Sequence, residues 1–466
     1  MKRNVLLKVI GILALVLVVL SWIIPASYYS GSTVISLGTM RVGIFDLINY
    51  PFLAIQYFCQ TIMFVVAVGA FYGVLEKTGK YRNSLEKIAK SLKGKESFFL
   101  IVTSLIFTLL SSVFGLNLML FIFVPAVVAI ILLMGYDKIT TLLVTFISMF
   151  IGIIGSTFSV NITGYINDVI GTTFKTEIIS KLALLVITYV VYILFTLSYA
   201  KKHKNKVENV DESIPFLGEK KQVKRASWPI CVAFSFILII MLLSTTQWTS
   251  VFNVDFFKNL HELVTTWTIG DHAILSYIIG DASMFGQWSY LEMIMVIMTV
   301  SVIIGFVYKL KLSEILDAFA NGVEKTYKTA LLIAFAMIIV IITAYHPFYM
   351  TITEWVIGLS SKFNIFLTSL ITIFGSLINV EMVYLTQSSI PYIAGVFAAE
   401  TAVNGLALIT QAFYGFTMLI APTSTLLILG LSYLDINYFD WLKQSWKLIL
   451  EIFVVILVII FVTLLI

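Results

Sequence analysis

The chain has 466 residues, of which 60% are hydrophobic and 12% are charged, and its mean hydropathy is +1.01. Soluble domains are nearer half apolar and a quarter charged, so this composition excludes a soluble protein and predicts a membrane protein. The formal net charge of +5 comes from short basic clusters between apolar segments. That distribution argues against a nucleic-acid partner and is typical of cytoplasmic loops.

Apolar segments follow one another from end to end of the chain. The run that follows Lys2 and Arg3 is long for a signal peptide and is predicted to be the first transmembrane helix. Thirteen apolar segments can be recognised, at about 5–25, 51–75, 98–113, 118–134, 139–158, 180–199, 228–245, 292–308, 329–345, 364–379, 384–398, 404–430 and 447–466.

Basic residues between these segments predict the orientation. The linkers 77–95 and 200–226 are rich in Lys and Arg and should be cytoplasmic, whereas 26–50 and 246–290 are poor in basic residues and should be external. The stretch 311–328 is predicted to be an amphipathic cytoplasmic arm. The protein is therefore expected to be multi-pass in the cytoplasmic membrane, with its N-terminus cytoplasmic and its C-terminus external. The second linker includes Lys206, Lys220, Lys221 and Lys224.

Two pairs of apolar segments are predicted to form re-entrant hairpins. Four segments lie between the basic linkers, and orientation allows either four full crossings or a hairpin at about 98–134. The short uncharged connector favours the hairpin, because irregular backbone at membrane depth must line a cavity or be buried. A second hairpin, of opposite orientation, is predicted at about 364–399, which leaves about nine transmembrane helices. The two connectors contain Ser111, Ser112, Gly115 and Asn117, and Asn379 and Glu381.

A weak internal repeat supports this arrangement. Pro125 and Thr157 are separated by the same distance in sequence as Pro391 and Thr423. Each hairpin is followed by a helix with a polar interruption, at about 139–161 and at about 404–430. The predicted fold is an all-α polytopic membrane protein with two inverted repeats, as in secondary transporters. The repeats are 1–199 and 292–466, and 200–291 supplies a basic linker, a transmembrane helix and an external loop.

The chain contains four motifs that are informative together: the stretch Gly135–Thr145, the stretch Gln411–Ser424, Val113-Phe114-Gly115 and Asp440-Trp441-Leu442-Lys443. These motifs resemble the YfcC family, a branch of the ion-transporter superfamily. The resemblance implies an elevator-type transporter with two hairpins that forms a homodimer. Members of the family are C4-dicarboxylate carriers or basic amino-acid antiporters that exchange arginine for ornithine.

The chain departs from the family pattern at three places. It has Leu116-Asn117-Leu118 where relatives have acidic residues, and Glu381-Met382-Val383-Tyr384 where relatives have a tip rich in Gly and Ser. Tyr414 stands where relatives have an aspartate. These changes leave the substrate open.

The candidate solute- and ion-binding site combines the hairpin connectors with the helix interruptions. A broken helix leaves backbone groups that cannot bond to water in lipid, and Ser and Thr hydroxyls add uncharged donors and acceptors. The other interpretation is that such clusters only permit close packing of helices. The candidate residues are Ser111, Ser112, Gly115, Asn117, Ser156, Thr157, Ser159, Asn379, Glu381, Gln411, Pro422, Thr423 and Ser424.

The role of Glu381 determines which class of substrate the sequence predicts. A carboxylate inside a membrane usually faces a cavity or pairs with a cation, although a glutamate that caps a helix near the interface is the other interpretation. A binding role predicts a basic amino-acid antiporter of the arginine/ornithine type, which needs no coupling ion. A proton- or sodium-coupled carrier of C4-dicarboxylates or other carboxylates is the alternative.

No cofactor, metal or catalytic residue is expected, and Na⁺ or H⁺ is the candidate coupling ion. An intramembrane enzyme is a further alternative, but the closest His–acid pair, Asp271-His272, lies in the predicted external loop. The expected partners are a small-molecule solute, membrane lipid and a second copy of the chain.

Overall fold

The computed structural model describes residues 3–204, 214–218, 225–270, 272–397 and 400–465, without the side chains of 3, 400–404 and 465. Parts of the predicted basic linker and external loop lie outside the described residues. They include Lys206, Lys220, Lys221, Lys224 and Asp271.

The described part of the chain is almost entirely helical. Up to the basic linker its elements are α1 (Arg3–Ile23), β1 (Ala26–Ser30), β2 (Thr33–Gly38), α2 (Ile44–Tyr57), α3 (Cys59–Lys77), α4 (Tyr81–Ser91), α5 (Glu96–Phe114), a 3₁₀ segment (Asn117–Ile122), α6 (Val124–Leu133), α7 (Lys138–Leu142), a π segment (Leu143–Ile147), α8 (Ser148–Ile154), a second π segment (Val160–Gly164), α9 (Tyr165–Ile170) and α10 (Ile178–His203). After the linker they are α11 (Trp228–Thr245), α12 (Trp248–Phe252), α13 (Phe256–Thr266), α14 (Ile274–Ile279), α15 (Tyr290–Val307), α16 (Leu312–Tyr345), α17 (Tyr349–Ile357), α18 (Ile365–Ile378), α19 (Met382–Gln387), α20 (Ser389–Val396), α21 (Glu400–Met418), α22 (Thr425–Tyr433) and α23 (Tyr438–Leu465).

Eight helices of the described residues are long and apolar enough to cross a membrane: α1, α3, α5, α10, α11, α15, α16 and α23. One of them, α5, is the first arm of the first predicted hairpin. A multi-pass membrane protein, as predicted, accounts for so many exposed apolar helices. The orientation, the two hairpins and the total of about nine full crossings stay predictions.

The chain divides by packing into two units. Unit 1 contains Met1–Val65, Leu85–Leu217 and Lys325–Ile466, and unit 2 contains Val66–Ser84 and Gly218–Glu324. All the predicted hairpin and helix-break segments belong to unit 1. The division follows tertiary contacts and differs from the predicted division into 1–199, 200–291 and 292–466, which stays a prediction.

The packing in unit 1 is reciprocal between the two predicted repeats. The first hairpin arm α5 packs on α8, and its counterpart α18 packs on α21. Helix α9, which follows the first break, contacts α19 and α20 of the second hairpin. Helix α22, which follows the second break, contacts the 3₁₀ segment of the first hairpin. Such an exchange of contacts is what two repeats related by a pseudo-two-fold axis would produce.

Helix α16 continues without a break through the predicted cytoplasmic arm and the apolar segment after it. The sequence predicts these as separate elements, at 311–328 and 329–345. They form one helix of 34 residues, because no proline interrupts it. In unit 2, Gly322 lies against Gly69 and Gly73 of α3, and a Cβ on Gly322 would lie 2.1 Å from the carbonyl oxygen of Gly69. Small residues thus allow two helix backbones to approach closely.

A small antiparallel β-hairpin, β1–β2, departs from the predicted all-helical fold. It follows α1 in the segment predicted to be an external loop. Ser27 joins it to α17 and to the residues just before that helix. Its backbone N–H donates to the Pro347 carbonyl at 3.1 Å, and its Oγ forms a hydrogen bond with Thr351 Oγ1 at 2.7 Å. Residues with strand propensity flank the Gly31-Ser32 turn, which is the local reason for the hairpin.

His346 joins the end of α16 to the N-terminal segment of unit 1. Its Nδ1 lies 2.6 Å from the Met40 carbonyl and its Nε2 lies 2.5 Å from the Tyr50 hydroxyl. A carbonyl only accepts, so Nδ1 donates to Met40, and Nε2 pairs with the Tyr50 hydroxyl. Burial, with a smaller contribution from Asp46, raises the pKa of Tyr50 to about 12, which keeps its hydroxyl protonated.

Replacement of Tyr50 with phenylalanine should leave the buried His346 Nε2 without its hydrogen-bond partner. We expect the free energy of unfolding to fall by about 1–3 kcal/mol, the usual cost of an unpaired buried polar atom. Tyr57→Phe is the matched control, because the bond from Tyr57 to Tyr345 is exposed. Thermal unfolding of the detergent-purified variants measures the difference, and equal midpoints for both variants would contradict the assigned role of Tyr50.

Candidate solute-binding site at two helix breaks

The first helix break lies between α8 and the π segment that precedes α9. Helix α8 ends at Ile154, and helical structure resumes at Val160. Gly155 sits so close to α10 that a Cβ there would lie 2.4 Å from the Leu185 Cα atom. Only glycine fits this contact, so the chain turns out of the helix directly against the neighbouring backbone.

Side chains from elsewhere satisfy the carbonyls at this break. Gln411 of α21 donates through Nε2 to the Ser156 carbonyl at 2.7 Å and to the Ile154 carbonyl at 3.2 Å. Ser112 Oγ donates to the Gly155 carbonyl at 2.6 Å. Thr163 Oγ1 donates to Gln411 Oε1 at 3.1 Å and lies 2.8 Å from Ser156 Oγ. Ser112, Ser156 and Gln411 therefore hold the break together in this conformation.

The connector of the first predicted hairpin packs directly on this break. The Thr157 backbone N–H donates to the Ser112 carbonyl at 3.0 Å. Gly115 has a φ of +67°, and a Cβ on it would lie 2.4 Å from Ser159 Oγ. Ser111 Oγ lies 2.8 Å from the Met149 carbonyl and also contacts the Asn117 side-chain oxygen, and its single proton can be donated to either. The Ser159 hydroxyl itself is buried and has no hydrogen-bond partner among the described residues.

The second break lies between α21 and α22. Thr423 Oγ1 donates to the Leu377 carbonyl at 2.9 Å, which ties the break to the first arm of the second hairpin. Ser424 is the N-cap of α22 and accepts from the Leu427 backbone N–H at 3.4 Å. Pro422, between these groups, has no N–H to donate, which suits a position where a helix stops.

Two aromatic residues of α23 satisfy the carbonyls at the end of α21. Trp441 Nε1 donates to the Leu419 carbonyl at 3.0 Å, and the Tyr438 hydroxyl donates to the Ile420 carbonyl at 2.6 Å. In the sequence, Trp441 stands out only within a family motif, and nothing distinguishes Tyr438. Their roles depend on packing between helices and leave no local signal.

Glu381 is the charged side chain of the second connector. It precedes α19 and is exposed, while its neighbours Val380 and Met382 are buried. Its backbone N–H donates to Asn379 Oδ1 at 3.0 Å, and Asn379 Nδ2 donates to Thr343 Oγ1 at 3.0 Å. No lysine, arginine or histidine within the described ranges forms an ion pair with Glu381. Hydrogen bonds thus hold the backbone at Asn379 and Glu381, and the carboxylate has no ion-pair partner among the described residues.

One turn of α21 connects the first break with the second connector. Gln411 binds the break, while the Tyr414 hydroxyl donates to the Val380 carbonyl at 2.7 Å. A Cβ on Gly415 would lie 2.7 Å from the backbone nitrogen of Ile154. The candidate residues thus form two groups joined through α21. One surrounds the first break, and the other contains Asn379, Glu381, Pro422, Thr423 and Ser424.

Two buried polar residues, Thr163 and Lys181, were not among the candidate residues from the sequence. Thr163 bridges Ser156 and Gln411, although nothing in the sequence distinguishes it from other threonines. Lys181 of α10 is 1% exposed, and its Nζ has no hydrogen-bond partner among the described residues. A lysine inside the apolar segment 180–199 was a visible signal, because such residues are costly in a membrane.

Comparison with known proteins gives one family and two similar proteins. The model of the C4-dicarboxylate anaerobic carrier family matches residues 54–465. An Escherichia coli (strain K12) protein named "Putative basic amino acid antiporter YfcC" is 23% identical over 84% of this chain and 75% of its own length. An uncharacterized protein of Haemophilus influenzae is 21% identical over 59% of this chain and 49% of its own length.

Among solved structures, the YdaH transporter of Alcanivorax borkumensis is similar with a TM-score of 0.43 and 12% sequence identity. The alignment covers 99% of this chain and 97% of that one.

Proposed function

The chain belongs to the C4-dicarboxylate anaerobic carrier family, and we propose that it exchanges basic amino acids of the arginine and ornithine type across the membrane. It is a multi-pass membrane transporter, and the resemblance to the YfcC family is confirmed. The family description and the name of the Escherichia coli relative are those of transporters, in agreement with the expectation that the chain is not an enzyme. The substrate, the exchange mode and the homodimer are parts of the proposal.

The observation that carries the proposal is the carboxylate of Glu381, which forms no ion pair with any residue that the structure describes. It is exposed between buried neighbours, on a backbone held by Asn379 and Tyr414. A fixed carboxylate at a connector between two apolar helices offers charge-assisted hydrogen bonds to an ammonium or guanidinium group. The name of the Escherichia coli relative supports the same substrate class.

The alternative is a proton- or sodium-coupled carrier of C4-dicarboxylates, and the family description supports its substrate class. A dicarboxylate would meet the like charge of Glu381 unless that carboxyl group were protonated, which makes its binding less favourable. Hydroxyls at the breaks are poor compensation, because those of Ser112, Ser156 and Thr423 are already bonded within the protein. The basic amino acid is therefore the better match to this site.

The proposed mechanism is alternating access by an elevator-type movement. The two hairpins and two broken helices would move as one body, since α9 packs on the second hairpin and α22 on the 3₁₀ segment of the first. Gln411 and Tyr414 tie α21 to both groups of candidate residues. A solute held at Glu381 would then be carried with this body and exposed on alternate sides, as in other inverted-repeat transporters.

Proteoliposomes that contain the purified protein should take up radiolabelled arginine when they are preloaded with ornithine. Vesicles with an empty lumen should show little uptake, because an exchanger moves one solute inward only as another leaves. Vesicles preloaded with succinate provide the control for the dicarboxylate alternative. Succinate uptake driven by a sodium or proton gradient, without arginine uptake in any vesicle, would contradict the proposed substrate.

A further inference from the structure

The carbonyl groups at the C-terminal end of α8 are natural ligands for a coupling cation. The last turn of a helix leaves carbonyls without intrahelical partners, and the helix dipole makes this end negative. Discontinuous helices of transporters use such carbonyls to coordinate sodium ions. Hard cations need several oxygen ligands, so any neutral donor that occupies those oxygens competes with the ion.

In this chain, N–H groups of the protein itself form hydrogen bonds to these carbonyl oxygens. The backbone N–H groups of Gly155 and Ser156 bond to the carbonyls of Ile151 and Ile153, at 3.1 and 3.2 Å. The Nε2 of Gln411 donates hydrogen bonds to the carbonyls of Ile154 and Ser156, and it has two N–H groups to do so. Gln411 is only 1% exposed, so bulk water does not compete for these hydrogen bonds.

The orientation of the Gln411 amide is fixed from both sides. Its Oε1 accepts from Thr163 Oγ1, and its nitrogen points to two carbonyls, so the reverse orientation would place oxygen against oxygen. Gly415, one turn further along α21, brings the two backbones into contact and leaves no room between them. The amide nitrogen therefore sits where a cation would have to bind.

We infer that Gln411 stands in the place of a coupling cation, so that the first helix break binds no sodium and transport runs without a sodium gradient. The inference rests on the proposed function as a carrier and adds the ion dependence of its site. Trp441 and Tyr438 act in the same way at the second break, where they occupy the carbonyls of Leu419 and Ile420 with neutral donors. The wild-type midpoint of thermal unfolding should consequently be equal in NaCl and in choline chloride of equal ionic strength.

Replacement of Gln411 by glutamate should convert the break into a sodium site. The carboxylate has the shape of the amide but cannot donate to the two carbonyls, and it adds a negative oxygen beside those of Ile154, Ser156 and Thr163. Gln411→Glu should unfold at a lower temperature than wild type in choline chloride. Its midpoint should rise with NaCl in a saturable manner, because a ligand that binds only the folded state stabilises it.

Two variants serve as controls for this experiment. Gln411→Met removes the donors without adding charge, so it should lose stability equally in both salts. Gln287→Glu adds the same charge at an exposed loop position, so its midpoint should not depend on sodium. A Gln411→Glu midpoint that is the same in both salts would overturn the assignment of Gln411.

Measurements on the wild-type protein test the inference even if a variant does not fold. Specific stabilisation of wild type by NaCl, or exchange that stops in its absence, would overturn it. The unfolding measurement needs no substrate. If arginine is not transported but wild type remains indifferent to sodium, the proposed substrate fails and the inference about Gln411 stands.

Discussion

Glu381→Gln should lose most of the ornithine-dependent arginine uptake while the protein stays folded. Glutamine keeps the size of the side chain but replaces charge-assisted hydrogen bonds with neutral ones. Bonds to a charged group contribute about 1.5–3 kcal/mol, so the apparent affinity for arginine should fall about 10- to 100-fold. Glu381→Asp, which keeps the charge on a shorter side chain, should retain part of the activity.

The fold should be insensitive to this change because the Glu381 side chain is exposed and forms no ion pair within the described part of the chain. Exposed substitutions usually change stability by less than about 0.5 kcal/mol. Asp435→Asn is the matched control. It removes another exposed carboxylate of unit 1, at a φ of +51° that asparagine tolerates. Wild-type uptake by Glu381→Gln, over a full range of arginine concentrations, would exclude Glu381 as the cation site.

The sequence carries clear signals for the helix ends at the candidate site. Helix α8 ends at Ile154, beside the cluster that begins with Gly155 and Ser156. Helix α21 ends at Met418, shortly before Pro422. Glycine, proline and hydroxyl residues interrupt apolar helices for local reasons, so these positions could be predicted without knowledge of the fold.

The partners at the breaks could not be predicted. Gln411 bonds to Ile154 across 257 residues, and which long-range contacts form depends on how the helices pack. The sequence analysis therefore assigned Gln411 and the break hydroxyls to solute or ion binding. The structure shows most of these groups bonded within the protein, and Glu381 is the site carboxylate that remains accessible. Their role in binding stays a prediction.

The N-terminal segment illustrates a different limit. Tyrosine, valine and isoleucine on both sides of Gly31-Ser32 favour the strands β1 and β2, but a short hairpin is only marginally stable alone. Contacts of Ser27 with Pro347 and Thr351 stabilise it, and these also join distant parts of the sequence. The segment was therefore predicted only as an external loop, because the contacts that stabilise the hairpin are tertiary.

Gly155→Ala should have the largest effect on the structure of the site. The added methyl group would lie 2.4 Å from the Leu185 Cα atom and 2.7 Å from its nitrogen, and neither backbone atom can rotate away. Either α10 or the break must move. Overpacking typically costs about 1–3 kcal/mol, and a shift of the break would also weaken its bonds from Ser112 and Gln411. We expect a lower unfolding midpoint together with loss of arginine exchange.

Two other glycines provide a graded control, because the space around them differs in a known order. A Cβ on Gly11 of α1 would meet nothing within 4 Å, so Gly11→Ala should be neutral or slightly stabilising. On Gly164 the nearest atom would be Val160 Cγ1 at 3.1 Å, a side-chain atom that can shift, so Gly164→Ala should be intermediate. Measured midpoints and uptake should fall in the order Gly11, Gly164, Gly155. If Gly155→Ala is as stable and active as Gly11→Ala, the contact of Gly155 with α10 is not needed for the structure of the break. The hydrogen bonds of Gln411 and Ser112 would then have to maintain that structure alone.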